Sequence, residues 1–581
     1  MLRKPFPWDH PSSALIGDRW IDRLWLLSLL LAAGVLYGIN LGSLPLRDWD
    51  EGTVAQVARD IWRSSPGSWV WLHPTIAGEP YLNKPPLIHW LIALAFQVGG
   101  MNEWTARLPG AMLTAISVPL LYSLSRELFA RRTPAIFAAL TYLTLLPVVR
   151  HGRLAMLDGA VLCFGLLLIF CVLRSRRDLR WGLGVGIAFG LLCLTKGIVA
   201  LLLGAIAIAF VAWDTPRLLT GGYVWSGVLL GSIPVVAWYW AQWQHYGQAF
   251  VNVSLWNQAL DRVVVSVEGN RGAPWYYVLE ILKYSLPWLV FFPQGCRLAW
   301  EHRNLSWAKL MLLWAAGYLL IISVMSTKLP WYVLPVYPAF ALAVGAYLAE
   351  IWRPSDWVDT RSSGAQSSNA HADSTTPAKR YRYPIAWVIL FSLVAIAGWL
   401  GSVYFSPIGS APQAGLPLIL GAVALTMTVA IVLIMQQNSQ FILVLFWGMY
   451  VSLVLFVASP YWVWELDESY PVKPVATLVR ENTPPNATVW TLYPHSRPSL
   501  NFYSDRRIVQ SLASPKQLPV PLQDYWQNDP RPYLLVEQAA LAQLTLPSVQ
   551  PLGSAAGWVL LTRQPNIAER KQGTVAPLRS P

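Results

Sequence analysis

The sequence is short of charge. Aspartate, glutamate, lysine and arginine make up 13% of its 581 residues, about half of the roughly 25% found in soluble domains. That share is too small to coat a water-facing surface, and with 55% hydrophobic residues the chain reads as a membrane protein. It is also short of cysteine. Cys163, Cys171, Cys193 and Cys296 all lie in or beside apolar runs, which excludes a disulfide framework. No internal repeat is evident and the polar groups do not gather at mid-membrane depth, which counts against a transporter or flippase. No small-residue cleavage site follows the first apolar run, so a retained first helix is expected. The net charge of +13 is spread over short loops between apolar runs. It therefore reports membrane topology and excludes a nucleic-acid-binding stripe.

Long apolar runs are abundant. With about 17–25 residues per span, helices are expected near 22–41, 108–125, 133–149, 155–173, 182–195, 197–213 and 223–241. Further spans are expected near 275–294, 307–326, 331–350, 384–404, 415–435 and 440–460, about thirteen in all. Arg126, Arg131, Arg132, the group Arg174 to Arg180, Arg217, Arg297, Arg303, Lys379, Arg380 and Arg382 share one side of an alternating count with Arg3 and Lys4. That side is read as cytoplasmic, and an odd count places the C-terminal domain across the membrane.

Domain organisation follows the same pattern. Residues 1–350 form a membrane module, and 351–383, rich in Ser, Ala and Thr, a cytoplasmic disordered linker. Residues 384–460 are the last spans. In 461–565, Val489–Tyr493, Tyr533–Val536 and Trp558–Leu561 read as strands of a small exported α/β domain, with a disordered tail over 566–581. The loop 42–107 carries Val54, Val57 and Ile61 at spacings of 3 and 4, an amphipathic helix expected along the membrane surface. A second such helix is expected from Pro86 to Val98.

Polar groups collect at the exported ends of these spans. Asp48, Asp50 and Glu51 follow the first one. Tyr81-Leu82-Asn83-Lys84-Pro85-Pro86 ends the first exported loop, and His151, Arg153 and Asp158 lead into the fourth span. Lys196 lies between the fifth and sixth, and Lys328 precedes the tenth. Cations and carboxylates at one membrane face suit a phosphate-bearing substrate with an apolar tail. Lysine and arginine neutralise phosphate oxygens, and a carboxylate accepts or orients a proton. The plainer alternatives are Asp50 as a helix N-cap, Asp158 paired with Arg153 or another basic neighbour, and Lys196 and Lys328 as snorkelling anchors.

These segments carry a resemblance. Asp50-Glu51-Gly52-Thr53-Val54-Ala55-Gln56-Val57-Ala58-Arg59, the Tyr81 to Pro86 segment, Arg107-Leu108-Pro109, Leu194-Thr195-Lys196-Gly197, Pro274-Trp275-Tyr276-Tyr277 and Lys328-Leu329-Pro330-Trp331-Tyr332 resemble, in order, motifs of the GT-C glycosyltransferases of the family 39 type. The likeness is nearest to the lipid A aminoarabinose transferases and more distant to the protein O-mannosyltransferases. It implies an all-α polytopic fold of the GT-C type with the α/β exported domain. It also implies an inverting transfer of a sugar from a polyprenyl-phosphate carrier to a lipid or glycan at the periplasmic face of a bacterial inner membrane. Transfer to protein Ser or Thr is the alternative.

Carried over by position, Asp50, Glu51 and Asp158 are the catalytic carboxylates. Lys84, Tyr81, Tyr332, Arg262, Arg271, Lys328 and Arg153 contact the carrier phosphate or substrate. The expected partners are the polyprenyl-phosphate donor, the acceptor and membrane lipid, with the protein a monomer. No cofactor is called for. A divalent metal stays open in the family pattern, weakened here because its glutamate ligand is Asn83 and no histidine in 242–274 matches the second ligand, His245 falling too early.

Overall fold

The computed structural model describes residues 16–265, 270–352, 383–463, 471–492, 496–511, 519–544 and 546–564. The expected linker and tail lie almost wholly outside them. The helices are, in order, α1 (Ile16–Gly38), α2 (Thr53–Arg63), α3 (Leu87–Gly99), α4 (Glu103–Leu128), α5 (Arg132–Leu143), α6 (Leu146–Arg153), α7 (Asp158–Ser175), α8 (Gly182–Asp214) and α9 (Gly222–Tyr246). Then come α10 (Gln248–Phe250), α11 (Asp261–Val264), α12 (Tyr276–Tyr284), α13 (Phe292–Glu301), α14 (Ser306–Val324), α15 (Tyr337–Ile351), α16 (Ile385–Tyr404), α17 (Leu416–Met435) and α18 (Phe441–Ala458). The last are α19 (Val472–Asn482), α20 (Pro498–Ser504) and α21 (Val520–Asn528).

Among the described residues ten helices are long and apolar enough to cross a membrane, or eleven if α5 and α6, bent by 57°, form one span. The protein is therefore a multi-pass membrane protein, with fewer continuous spans than the thirteen expected. The stretch 275–294 is divided into α12, a tight turn over Trp288–Phe291 and α13. Pro287 and Pro293 break it there, because each lacks an amide donor. The runs 182–195 and 197–213 join in α8, but Lys196 is not helical (φ −155°, ψ 83°). A Cβ built on Gly204 would lie 2.6 Å from the Phe189 ring. Fifteen residues of straight helix would separate the two by roughly 22 Å, so the chain doubles back at Lys196. The first half of this hairpin packs on α9 through glycines. A Cβ at Gly186 would fall 1.9 Å from the Gly227 carbonyl carbon, a backbone approach that only small residues permit.

The chain forms two compact units. The membrane unit takes in residues 1–43, 82–88 and 107–463; the second comprises 44–81, 89–106 and 464–581. Residues 44–81 and 89–106 of the first long loop thus group with the C-terminal domain, which chain order does not reveal. In the second unit, β1 (Thr75–Ile76) and β2 (Glu79–Pro80) make a small hairpin. β3 (Thr488–Thr491), β4 (Arg507–Gln510), β5 (Tyr533–Glu537), β6 (Val549–Ala555) and β7 (Trp558–Arg563) form one sheet in the order β4-β3-β5-β7-β6. β3 runs parallel to β4 and β5, and β7 antiparallel to β5 and β6. β4 and β6 are strands that the sequence reading missed.

Alternation along β5 explains the two-sided core. Tyr533 and Leu535 face α19 residues Val475 and Val479, while Leu534 and Val536 face Leu522 and Trp526 of α21. Contrary to the expectation of a membrane-surface helix, the apolar face of α2 is turned into the protein. Val54, Ala55, Val57 and Ala58 are buried, and the helix packs against α20.

Candidate active site

The expected site residues divide between the units: Asp50, Glu51 and Tyr81 in the second, the others in the membrane unit. In the membrane unit the centre is Asp158, the first residue of α7, where the helix dipole favours a carboxylate. Its partner is Lys196, at the break in α8. The ammonium donates to Asp158 Oδ1 at 3.0 Å, and the residues are 9% and 4% exposed. Of the plainer alternatives, Asp158 does pair with a basic group, but with a lysine of the next helix in place of Arg153, and Lys196 is buried against it, not extended as a snorkelling anchor. The break that turns α8 back is what brings the lysine to that depth.

The pair continues outward. The Lys196 ammonium lies 5.4 Å from the centre of the Tyr332 ring, and the Tyr332 hydroxyl accepts a bond from Arg262 Nη1 at 2.7 Å. Lys84 donates to Gln258 Oε1 at 3.0 Å, one helical turn before Arg262. The expected loop 242–274 is thus partly helical, through α10, a wide-turned stretch over Val251–Leu260 and α11. Its return strand is tied down by backbone bonds. Thr327 N–H donates to Arg262 O at 3.2 Å, Lys328 N–H to Asn270 O at 2.9 Å, and Arg271 pairs with Thr327 as an isolated bridge. Arg271 is exposed. Asp158, Lys196, Tyr332, Arg262, Gln258 and Lys84 therefore form one polar succession. Gln258 was not singled out in the sequence, and Lys196 was noted there without a site role.

Two expected substrate cations are held elsewhere. Arg153 is 0% exposed. Its guanidinium donates to Leu36 O and Ile39 O, both at 2.6 Å, and lies 4.5 Å from the Trp462 ring centre. It satisfies the carbonyls left open at the end of α1, which corrects the phosphate-contact expectation. Lys328 is turned the same way. Its ammonium donates to Ile322 O at 3.0 Å and Ser323 O at 2.7 Å, beside the Tyr277 ring, and so caps the end of α14.

In the second unit the chain from Asp48 to Gly52 makes a wide helical turn, with Gly52 N–H donating to Arg47 O at 2.6 Å. Such turns recur at functional sites. Asp48 is buried and accepts from Arg497 Nη1 at 2.9 Å, from Ser499 N–H at 3.2 Å and from the Ser499 hydroxyl. Burial pushes its carboxyl above the usual range despite these partners. Glu51 is buried and accepts from Arg47 N–H at 3.2 Å, reaching back over the turn as a capping carboxylate does. Asp50 is half-buried and lies two residues before Gly52, which occupies the N-cap position of α2. Of the three acids it is the most exposed. Tyr81 is buried, its ring edge-on to His89 at 5.4 Å. Asn83 and His245 are exposed, and no group of three His, Cys, Asp or Glu that could hold a metal is found among the described residues.

With this geometry in place, comparisons define the class. Residues 83–240 match the family model described as dolichyl-phosphate-mannose-protein mannosyltransferase. The crystal structure of ArnT from Cupriavidus metallidurans bound to undecaprenyl phosphate superposes with a TM-score of 0.72 at 18% identity, over 95% of this chain and 100% of that one. The apo oligosaccharyltransferase of Archaeoglobus fulgidus gives 0.51 at 12% identity, over 91% and 72%. By this likeness the chain has a polytopic membrane fold of the GT-C type, as its motifs imply.

Within that class it is related in sequence to the undecaprenyl phosphate-alpha-4-amino-4-deoxy-L-arabinose arabinosyl transferases. The similarity is 28% identity over 342 residues to arabinosyl transferase 1 of Pseudomonas fluorescens and 30% over 346 residues to the Pseudomonas aeruginosa enzyme. These matches cover 57% and 58% of this chain and 61% and 62% of the relatives' own length.

Proposed function

We propose that the protein is an inverting glycosyltransferase that moves a sugar from a polyprenyl-phosphate carrier to a lipid or glycan acceptor. It would act at the periplasmic face of a bacterial inner membrane, with the N-terminus cytoplasmic. The observation that carries this reading is the polar succession from Asp158 through Lys196, Tyr332 and Arg262 to Gln258 and Lys84. The Arg262 guanidinium donates to the Tyr332 hydroxyl, which leaves its charge to act on a phosphate. Lys84 stands one helical turn away, beside Gln258. Two cations at the ends of spans suit a lipid-borne phosphate whose charge grows as the sugar leaves. The relatives' names and the bound undecaprenyl phosphate of the Cupriavidus structure support the same donor class.

For the second unit, the family resemblance is what assigns the Asp50 carboxylate to activating or orienting the acceptor nucleophile; the roles in the membrane unit rest on its own geometry. Lys84 and Arg262 stabilise the departing phosphate, Tyr332 holds Arg262 in place, and Asp158 fixes Lys196. Glu51 shapes the turn that bears Asp50. The mechanism requires no metal from these residues, since Asn83 and His245 do not offer a ligand set.

The test is transfer by purified full-length protein in detergent, supplied with a polyprenyl-phosphate sugar and a lipid acceptor, with and without chelator. Donor-dependent appearance of glycosylated lipid is expected, unchanged by the chelator. Transfer to Ser or Thr of a peptide alone would favour the mannosyltransferase reading that the family model suggests. Absence of transfer to either would overturn the proposal.

A further inference from the structure

The turn that bears Asp50 is held from one side by a single short segment of the C-terminal domain, residues 497–505. Asp48, two residues before Asp50, accepts from the Arg497 guanidinium and from both the backbone N–H and the hydroxyl of Ser499. Gly52, two residues after it, is pressed against the same segment, since a Cβ there would lie 2.6 Å from Ser499 N and 2.9 Å from Arg47 O. Leu46 N–H donates to the Tyr503 hydroxyl at 2.8 Å. Two helical turns beyond Gly52, Arg59 donates to Asn501 O at 2.8 Å and pairs with Asp505. Arg497 is itself fixed from behind, 5.8 Å from the Trp558 ring centre in β7.

The burial is unusual for a mere surface contact. Asp48 and Arg497 are both nearly buried, and burial outweighs pairing at the Asp48 carboxyl. Replacing such a pair by apolar residues is often neutral or stabilising, so stability gives little reason to keep it. A buried ion pair does, however, fix register and direction, because a charge left off its partner is costly.

We propose that Arg497 is a positioning residue for the transfer reaction: by clamping Asp48 it sets the register of the turn and hence the direction of the Asp50 carboxylate. This rests on the glycosyltransferase reading above, and assigns the C-terminal domain a part in catalysis. Misplacement of a reacting group by about 1 Å can cost on the order of a hundredfold in rate. Loss of the clamp should therefore act on kcat and leave donor KM within about twofold.

The experiment uses full-length protein in detergent with a polyprenyl-phosphate sugar donor, and reads kcat, KM and thermal midpoint together. Arg497→Met is compared with Arg506→Met, a second buried arginine of the same domain. Arg506 donates to Thr483 Oγ1, Thr483 O and Arg480 O at the end of α19, away from the turn. Both variants should lose thermal stability, and only Arg497→Met should lose kcat, by about a hundredfold. Arg497→Lys, which keeps a donor toward Asp48, should recover at least a tenth of wild-type kcat. Should Arg497→Met fail to fold, Asp48→Asn takes its place: it keeps an acceptor for Ser499, loses the ion pair and should lower kcat about tenfold. Equal kcat losses in Arg497→Met and Arg506→Met, or wild-type kcat in Arg497→Met or Asp48→Asn, would overturn the proposal. A wild-type protein with no transfer at all would instead overturn the reading it rests on.

Discussion

Asp158 and Lys196 show how a residue's surroundings decide its part. Taken alone, each has an ordinary explanation. Together, at 3.0 Å in a buried setting, they form a unit that neither can leave without exposing the other as an unpaired charge. Lys196→Met should therefore destabilise the protein by about 3–5 kcal/mol. A double variant, Asp158→Asn with Lys196→Met, should recover most of that loss. Thermal unfolding of the purified proteins in detergent measures both. Asp60, on the far side of α2, gives a pH signature. It accepts from Gly78 N–H, the Thr75 hydroxyl and Gln56 Nε2, yet burial holds its carboxyl above the usual range. The folded state then binds this proton more tightly than the unfolded state does. This group's contribution falls as pH rises from about 4, the unfolded carboxylate value, to the raised folded value, and is flat above it. Asp60→Asn should flatten the dependence of the thermal midpoint over that window, seen as a variant-minus-wild-type difference that changes with pH only below the plateau.

At the scale of the element, the readable parts of the chain were those with an unambiguous period. Most of the apolar runs became helices where expected, with 275–294 cut into short pieces, and Val489–Thr491, Tyr533–Val536 and Trp558–Leu561 became strands. The rest depended on partners that lie far away in sequence. Arg153 and Lys328 read as phosphate contacts because a cation near a span's end looks the same whether it meets a ligand or a helix's last carbonyls. The buried face of α2 resembled a membrane-surface face because an apolar stripe does not say what covers it. β6, with Pro551, Gly553 and a register shift between them, carries too little alternation to be read as a strand. The hairpin within α8 was legible only as two runs flanking Lys196, and its glycine seam with α9 only as composition. That seam makes a definite prediction. Gly186→Leu places side-chain atoms where the Gly227 backbone lies and should cost at least about 1–3 kcal/mol. The thermal midpoint of the variant checks it, against Gly317→Leu, where nothing lies within 4 Å of the added Cβ.

For the whole molecule, the order of motifs along the chain was more informative than any one of them. It led from the residues to the GT-C class, which fold and sequence similarity then supported independently. The proposed orientation has its own check. Asn486, at an exposed turn before β3, changed to Cys should react with a membrane-impermeant maleimide from the periplasmic side, whereas Arg131→Cys should react only after the membrane is opened. The central claim is that Asp50 drives sugar transfer from a polyprenyl-phosphate donor, and the most direct measurement is turnover of Asp50→Asn beside wild type. Both would be purified in detergent and matched for thermal midpoint. The account predicts loss of at least a hundredfold in kcat with the midpoint unchanged. Turnover near the wild-type value in a folded Asp50→Asn protein would contradict it.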